Sequence, residues 1–94
     1  MSTSFSLSAS DESLLYPEDQ LTAPMTTSLA QVLLDTILPG WDRGQGTIGV
    51  ILNHELSACL VRIKPMLRDG EPDVRRLAAV LFAANMIGLD VVYA

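Results

Sequence analysis

The sequence is poor in the residues from which most catalytic and metal sites are built. It holds one cysteine and one histidine, too few for a zinc site or a Cys–His pair. The lone Cys59 also excludes a disulfide within the chain. His54 and Glu55 are sequence neighbours whose side chains diverge on a helix, so they do not form an acid–base pair. We therefore expect no catalytic residue, no metal and no cofactor.

Positive charge is missing from the first part of the chain. Residues 1–40 hold five acidic residues and no lysine or arginine, whereas residues 41–94 hold six of each sign. The formal net charge is −5, and the chain lacks the clustered Lys and Arg that bind a phosphate backbone. We therefore expect no direct binding of nucleic acid. A protein with a basic surface is the electrostatic partner that this charge favours.

Long apolar runs are also missing. A membrane helix needs about 20 apolar residues, and the longest run here, residues 77–87, is shorter and is interrupted by Asn85. The first residues have neither the basic charge nor the apolar stretch of a secretory signal. An unpaired cysteine suits a reducing compartment. These features predict a cytoplasmic protein that is not embedded in a membrane.

The chain is nevertheless rich in apolar residues, which make up 49% of it. Their helical spacing predicts three helices, over about 25–38, 47–68 and 72–88. Gly88 is expected to cap the third helix in the left-handed conformation. The sequence therefore predicts an all-α fold, in which residues 25–94 form one compact three-helix domain.

The second of these helices is the ambiguous one. Residues 47–52 are rich in β-branched side chains, which is typical of a buried strand. The helical pattern fits better over the whole length of 47–68, although Pro65 is expected to kink its end or convert its last turn. We therefore predict a helix, with a β-hairpin as the alternative.

Residues 1–24 are interpreted as an acidic, Ser-rich arm outside the helical domain. Serine occupies every even position of residues 2–10, with Phe5 and Leu7 between them. Period two is typical of an extended strand with one apolar face. The arm is therefore either a flexible tail or a segment that docks in extended form on a partner. The last residues, 90–94, are also expected to be extended.

The third predicted helix is apolar around its whole circumference, as a fully buried helix is. A chain of 94 residues offers little core in which to enclose such a helix. We therefore expect it to complete its burial against a second copy, in a homo-oligomer. The expected interface residues are Val80, Ala83, Asn85 and Ile87.

Two residues of the Gly-rich loop after the first helix are candidates for binding a partner. Trp41 and Arg43 are of types that are enriched in binding hot spots. With Phe5 and Leu7 of the arm, they form the predicted partner-binding set. The alternative for Trp41 is that its ring folds back over the helix ends and plugs the core.

Residues 44–49 match the pattern G-x-G-x-x-G. In dinucleotide-binding proteins this pattern follows a strand and opens a helix, but here a predicted helix precedes it. A loop that needs glycine for positive φ explains the pattern. The alternative is an anion site at the start of the second helix, formed by Arg43, Gly44, Gly46 and Thr47.

Together these features favour a non-catalytic interaction protein that binds another protein as an adaptor or an inhibitor. Its size and acidity also resemble those of small phage or mobile-element proteins that inhibit host nucleic-acid machinery, an analogy that no motif carries. The alternative function is a binder of a small anionic ligand or a nucleotide through the loop at residues 44–49.

Overall fold

Over its described residues, the protein is a four-stranded antiparallel sheet with three helices packed on one face. The computed structural model describes residues 2–8, 22–42, 44, 46–69 and 71–94. The strands are β1 Ser2–Leu7, β2 Thr22–Thr26, β3 Gly49–Ile51 and β4 Val91–Tyr93. The helices are α1 Thr27–Ile37, α2 Leu56–Ile63 and α3 Pro72–Ile87. Two 3₁₀ segments, Asn53–Glu55 and Lys64–Asp69, flank α2.

The two ends of the chain meet in the middle of the sheet, whose strand order is β2-β1-β4-β3. Phe5 of β1 lies opposite Ala23 of β2 on one side and Tyr93 of β4 on the other. The Ser4 amide donates to the Ala94 carbonyl at 3.0 Å, and the Ala94 amide donates back to Ser4 at 3.1 Å. β4 in turn pairs with β3, and β4 is the strand through which β3 joins the sheet.

The core lies between the sheet and the helices, and strand alternation decides which residues enter it. Along β1, Thr3 and Phe5 are buried, whereas the alternate serines Ser2, Ser4 and Ser6 lie on the outer face. The other strands place their alternate residues in the same core: Ala23, Met25, Ile51, Val91 and Tyr93. The helices fill it with Leu33, Leu34, Ile37, Leu56, Cys59, Ile63, Val74, Leu77, Val80, Leu81 and Ala84.

The prediction of an all-α fold, and of a helical protein, is wrong because the structure combines this four-stranded sheet with the three helices. The error is largest at residues 47–68, predicted as one helix. There β3 comes first, and α2 begins only at Leu56. Gly49 and Ile51 pair with Tyr93 and Val91 of β4. Because that partner lies far along the chain, a local count of apolar spacing does not include the pairing that favours a strand.

Both described parts of the predicted N-terminal arm, residues 2–8 and 22–24, lie inside the fold, where they contribute to β1 and β2. β1 is an inner strand, and Phe5 is fully buried. The alternation of serine with apolar residues did indicate an extended strand, but the sheet that receives it belongs to this chain. Residues 9–21, which carry the acidic residues of the predicted arm, are outside the described residues.

Two of the predicted helices are present, with local signals at their ends. The Leu29 amide donates to Thr26 Oγ1 at 3.3 Å, so Thr26 caps α1. Pro72 opens α3, and Gly88 closes it with φ 87°. The chain turns to 3₁₀ geometry at Lys64, immediately before Pro65. Among the described residues, no helix has the length and apolar character needed to span a membrane.

Because β1 holds the centre of the sheet, its inward side chains are expected to decide whether the protein folds. We predict that Phe5→Ala lowers the free energy of unfolding by about 3–5 kcal/mol, as for a buried aromatic residue. Ser6→Ala is the matched control on the outer face of the same strand, and its effect should stay within about 0.5 kcal/mol. Urea unfolding followed by circular dichroism measures both. Equal stability of Phe5→Ala and the wild type would contradict the core position.

Candidate functional site

Among the residues that the structure describes, the sheet has two edges without a further strand, β2 and β3, and they differ in how they are protected. The β2 edge carries an exposed proline, Pro24, which has no N–H with which to bind another strand. The β3 edge carries neither a proline nor a charged residue within Gly49–Ile51. Since natural sheets usually block such edges, the open β3 edge is the candidate site.

The backbone of Val50 directs its hydrogen-bonding groups away from the sheet. The backbone N–H and C=O of Ala94 bind β1. In an antiparallel strand the N–H and C=O of one residue point to one neighbouring strand, and those of the next residue point to the opposite side. Tyr93 and Val91 therefore face β3, where they lie opposite Gly49 and Ile51. The intervening Val50 then presents both its N–H and its C=O to the free edge.

The side chains of this edge are apolar and exposed. Ile48, Val50 and Leu52 are 66%, 46% and 45% exposed, and their alternate positions place them on the outer face of the sheet. We call residues 48–52 the β3 edge. Neighbouring exposed apolar residues of this kind mark interaction surfaces more often than isolated ones do.

A groove of about 370 Å³ runs between the β3 edge and the loop of residues 38–42; we call it the β3 groove. Trp41 and Tyr93 line it with aromatic rings, and Asp42 and Glu55 line it with carboxylates. No lysine or arginine is among its lining residues within the described part of the chain. The described lining of the groove therefore combines apolar side chains with two carboxylates.

The Trp41 side chain lines one side of the β3 groove and does not project from the surface as a binding hot spot would. Its ring is buried with the core, and its indole N–H donates to Asp35 Oδ1 at 2.8 Å. Of the two interpretations of this tryptophan, the geometry corresponds to the core plug. One side of the ring still lines the groove, so the residue can shape a binding surface while it stabilises the fold.

Tyr93 lies against the backbone of β3, and this contact requires a glycine. A Cβ atom added at Gly49 would lie 2.5 Å from Tyr93 Oη and 2.7 Å from Cζ. On its other side the ring packs at 5.5 Å from the ring of Phe5. Burial raises the pKa of the Tyr93 phenol above its ordinary value of 10.0, and the charges of Asp42 and Glu55 add to the effect.

Glu55 also orders the end of the β3 edge. Its carboxylate Oε2 accepts a hydrogen bond from the Leu52 amide at 3.2 Å. The next amide, of Asn53, donates to Asp90 Oδ1 at 2.7 Å, which ties this end to the start of β4. The β3 edge is therefore short and held at its end by hydrogen bonds, and its outward-facing backbone groups are those of Val50.

The three predicted partner-binding residues that the structure describes, Phe5, Leu7 and Trp41, do not form an exposed surface. Phe5 is fully buried, and Leu7 packs half-buried against the core. Trp41 is buried, and Arg43 is outside the described residues. The accessible apolar residues Ile48, Val50 and Leu52 were not predicted as a site. Their alternation with Gly49 and Ile51 was the signal that could have indicated them.

The predicted interface on α3 is only partly accessible. Val80 is buried and Ala83 is half-buried, whereas Asn85 and Ile87 are exposed. The most exposed large apolar side chains of the helix are two that the prediction did not include, Phe82 and Met86.

The predicted anion site required a helix N-terminus directly after the glycine loop, and the structure has a strand there. Gly46, with φ 70°, and Thr47 lead into β3, and α2 begins later, at Leu56. Gly44 is exposed, and its amide donates to Asp42 Oδ1 at 2.9 Å. The loop therefore delivers the chain to a strand rather than to the N-terminus of a helix.

The single histidine and the single cysteine, the two side chains considered as reactive groups, differ in their exposure to solvent. His54 is exposed, whereas Cys59 is buried with its Sγ donating to the Ile37 carbonyl at 3.2 Å. Burial raises the pKa of the Cys59 thiol above its ordinary value of 9.0. Within the ranges that the structure describes, no group of three or more His, Cys, Asp or Glu side chains is placed to hold a metal ion.

No protein-family model matches the chain, and neither a curated protein nor a solved structure does so. A functional proposal for this protein therefore depends on the geometry of its own surfaces.

The contact between Gly49 and Tyr93 gives a test of how the β3 groove is built. We predict that Gly49→Ala lowers the free energy of unfolding by about 1–3 kcal/mol, because the new methyl group displaces the ring. In a Tyr93→Leu background the same change should cost at least about 1 kcal/mol less. Urea unfolding of the four proteins gives the coupling. An equal cost in both backgrounds would contradict the close contact.

Tyr93 is also expected to ionise at an unusually high pH. The folded protein holds the phenol protonated, so the stability that it contributes is present below pH 10.0 and is lost as the pH rises through the raised pKa. The difference in phenolate absorbance between the wild type and Tyr93→Phe isolates this group from Tyr16. Tyr93→Phe should also weaken the loss of stability at alkaline pH. Ionisation of Tyr93 at or below pH 10.0 would contradict its burial.

Proposed function

We propose that this protein is a non-catalytic binding module that takes up an extended segment of another protein along the β3 edge. The observation that carries the proposal is an unblocked strand edge beside an apolar, acidic groove. The incoming segment would become a fifth strand of the sheet. Such a module acts as an adaptor when the segment links it to a second protein, and as an inhibitor when it occupies a segment needed elsewhere.

Strand addition assigns separate tasks to the backbone and to the side chains. Main-chain hydrogen bonds, here from the N–H and C=O of Val50, supply affinity for any extended chain. Side-chain contacts supply specificity, because alternate residues of the added strand point to the same face. On the outer face they meet Ile48, Val50 and Leu52. The proposed segment therefore carries apolar residues at alternate positions.

The charge of the β3 groove favours basic residues between those apolar positions. Asp42 is exposed and Glu55 is half-buried, and both line the groove. A lysine or arginine in the segment would gain from both carboxylates, and an acidic segment would be repelled. This agrees with the partner of basic character that the composition predicts. We also propose a cytoplasmic setting, because the lone Cys59 is packed as a free thiol in the core.

A short strand-forming peptide tests this proposal. We expect a fluorescein-labelled peptide of the sequence Lys-Val-Lys-Val-Lys-Val to bind saturably, as measured by fluorescence anisotropy. The same peptide with alternate amides N-methylated should lose binding, because it can no longer donate to the edge. A Glu-Val peptide of equal length should bind more weakly than the Lys-Val peptide, and this difference should shrink as salt screens the groove.

Two variants at one position separate the backbone contact from the side-chain contact. Val50→Pro removes the N–H that faces the free edge and should weaken binding at least tenfold, which corresponds to about 1.4 kcal/mol. Val50→Thr keeps both the N–H and the β-branched shape, so it should bind nearly as the wild type does. Circular dichroism checks that both variants fold. Failure of the Lys-Val peptide to bind, or equal binding of its N-methylated form, would contradict strand addition.

A further inference from the structure

We propose that α3 is a dimerisation helix, which pairs antiparallel with α3 of a second copy of this chain. The surface that carries the inference is a line of four residues, Arg75, Ala79, Phe82 and Met86, which we call the α3 stripe. It lies opposite the buried face of the helix and is separate from the β3 edge.

The α3 stripe is exposed although it is apolar. Phe82 is 57% exposed and Met86 is 71% exposed, and Ala79 between them and Arg75 is exposed as well. The spacing of four, three and four residues keeps the stripe straight along one side of a helix, as in the seam of a coiled coil. From residue 77 to residue 89 the sequence has no charged side chain at all. A solvent-facing helix normally carries charge there.

Two copies of the stripe fit each other when the helices run antiparallel. With the twofold axis passing between residues 80 and 81, each Phe82 faces the partner's Ala79. Each Met86 then faces the aliphatic stem of the partner's Arg75. Large side chains therefore meet small or flexible ones at both ends of the contact. One surface that complements itself in this way is what a twofold dimer requires.

The charges of α3 also favour this direction. The last turn of the helix carries no basic residue, so the negative end of its dipole is not compensated from within the helix. The antiparallel arrangement brings the partner's Arg75 and Arg76 beside that last turn. A parallel pair would instead place like charges together at Arg75 and stack the two Phe82 rings.

Dimerisation through α3 leaves the proposed binding site open. α3 packs against β1, β2 and β4, and Asn53, which follows the β3 edge, donates from Nδ2 to the Ala84 carbonyl of α3 at 3.3 Å. Ala84 is on the buried face of α3, so the α3 stripe on the opposite face points away from this contact and from β3. A dimer would therefore present two free β3 edges. The two proposals are independent, because the peptide experiment reports on β3 and the mass of the protein reports on α3.

The oligomeric mass as a function of concentration tests the inference. In sedimentation equilibrium, the wild type should shift from the monomer mass of 10.2 kDa towards twice that mass as its concentration rises. A one-helix contact is smaller than a standard interface, so a reversible equilibrium is expected. Phe82→Glu should weaken the dimer at least tenfold. Val32→Glu is the matched control, since Val32 on α1 is 55% exposed and outside the stripe.

A second measurement tests the direction of the helices. Arg75→Cys and Met86→Cys proteins are mixed and oxidised, and the buried Cys59 stays as it is. Antiparallel pairing should give mainly disulfides between the two variants, whereas parallel pairing gives links within each variant. Met86→Lys replaces Phe82→Glu if the latter fails to fold. A wild type that stays at the monomer mass at every concentration, or a dimer insensitive to both stripe variants, overturns the inference. Predominant 75–75 and 86–86 links overturn the antiparallel arrangement.

Discussion

The pairing of β1 with β4 is the interaction on which the rest of this structure depends. It joins the two ends of the described chain through the reciprocal hydrogen bonds of Ser4 and Ala94, and it brings the Phe5 ring against Tyr93. β2 attaches to one side of this pair and β3 to the other. Without it, the helices would have no sheet on which to bury their apolar faces, and β3 would have no neighbour.

This arrangement explains why the candidate surfaces lie where they do. A sheet with helices on one face leaves its outer face and its two edges to solvent. Pro24 blocks one edge, whereas the three-residue strand β3 is left open beside the β3 groove. The helix α3 covers the half of the sheet formed by β1 and β2, and its opposite side becomes the α3 stripe. Both surfaces are thus consequences of a sheet too small to enclose every apolar residue of the chain.

Local signals in the sequence were sufficient for part of this fold. Pro72 and Gly88 mark the ends of α3, and the alternation of serine with Phe5 and Leu7 indicates an extended segment. They were not sufficient for β3, because a strand of three residues has no stable local form. The same limit applies to the candidate site. Its key feature, the outward backbone of Val50, exists only because Tyr93 and Val91 pair with the residues on either side.

The α3 helix shows most clearly which properties are set by the local sequence and which are set by tertiary packing. Its sequence determined that the segment is helical and that it is apolar on every side, since propensity, caps and composition are local properties. Only the tertiary structure decided which side faces the core. A helix apolar all round has no preferred direction, so packing against β1, β2 and α2 selected Leu77, Val80, Leu81 and Ala84 for burial. The same packing left Phe82 and Met86 outside, because residues on the opposite side of a helix cannot reach the same core.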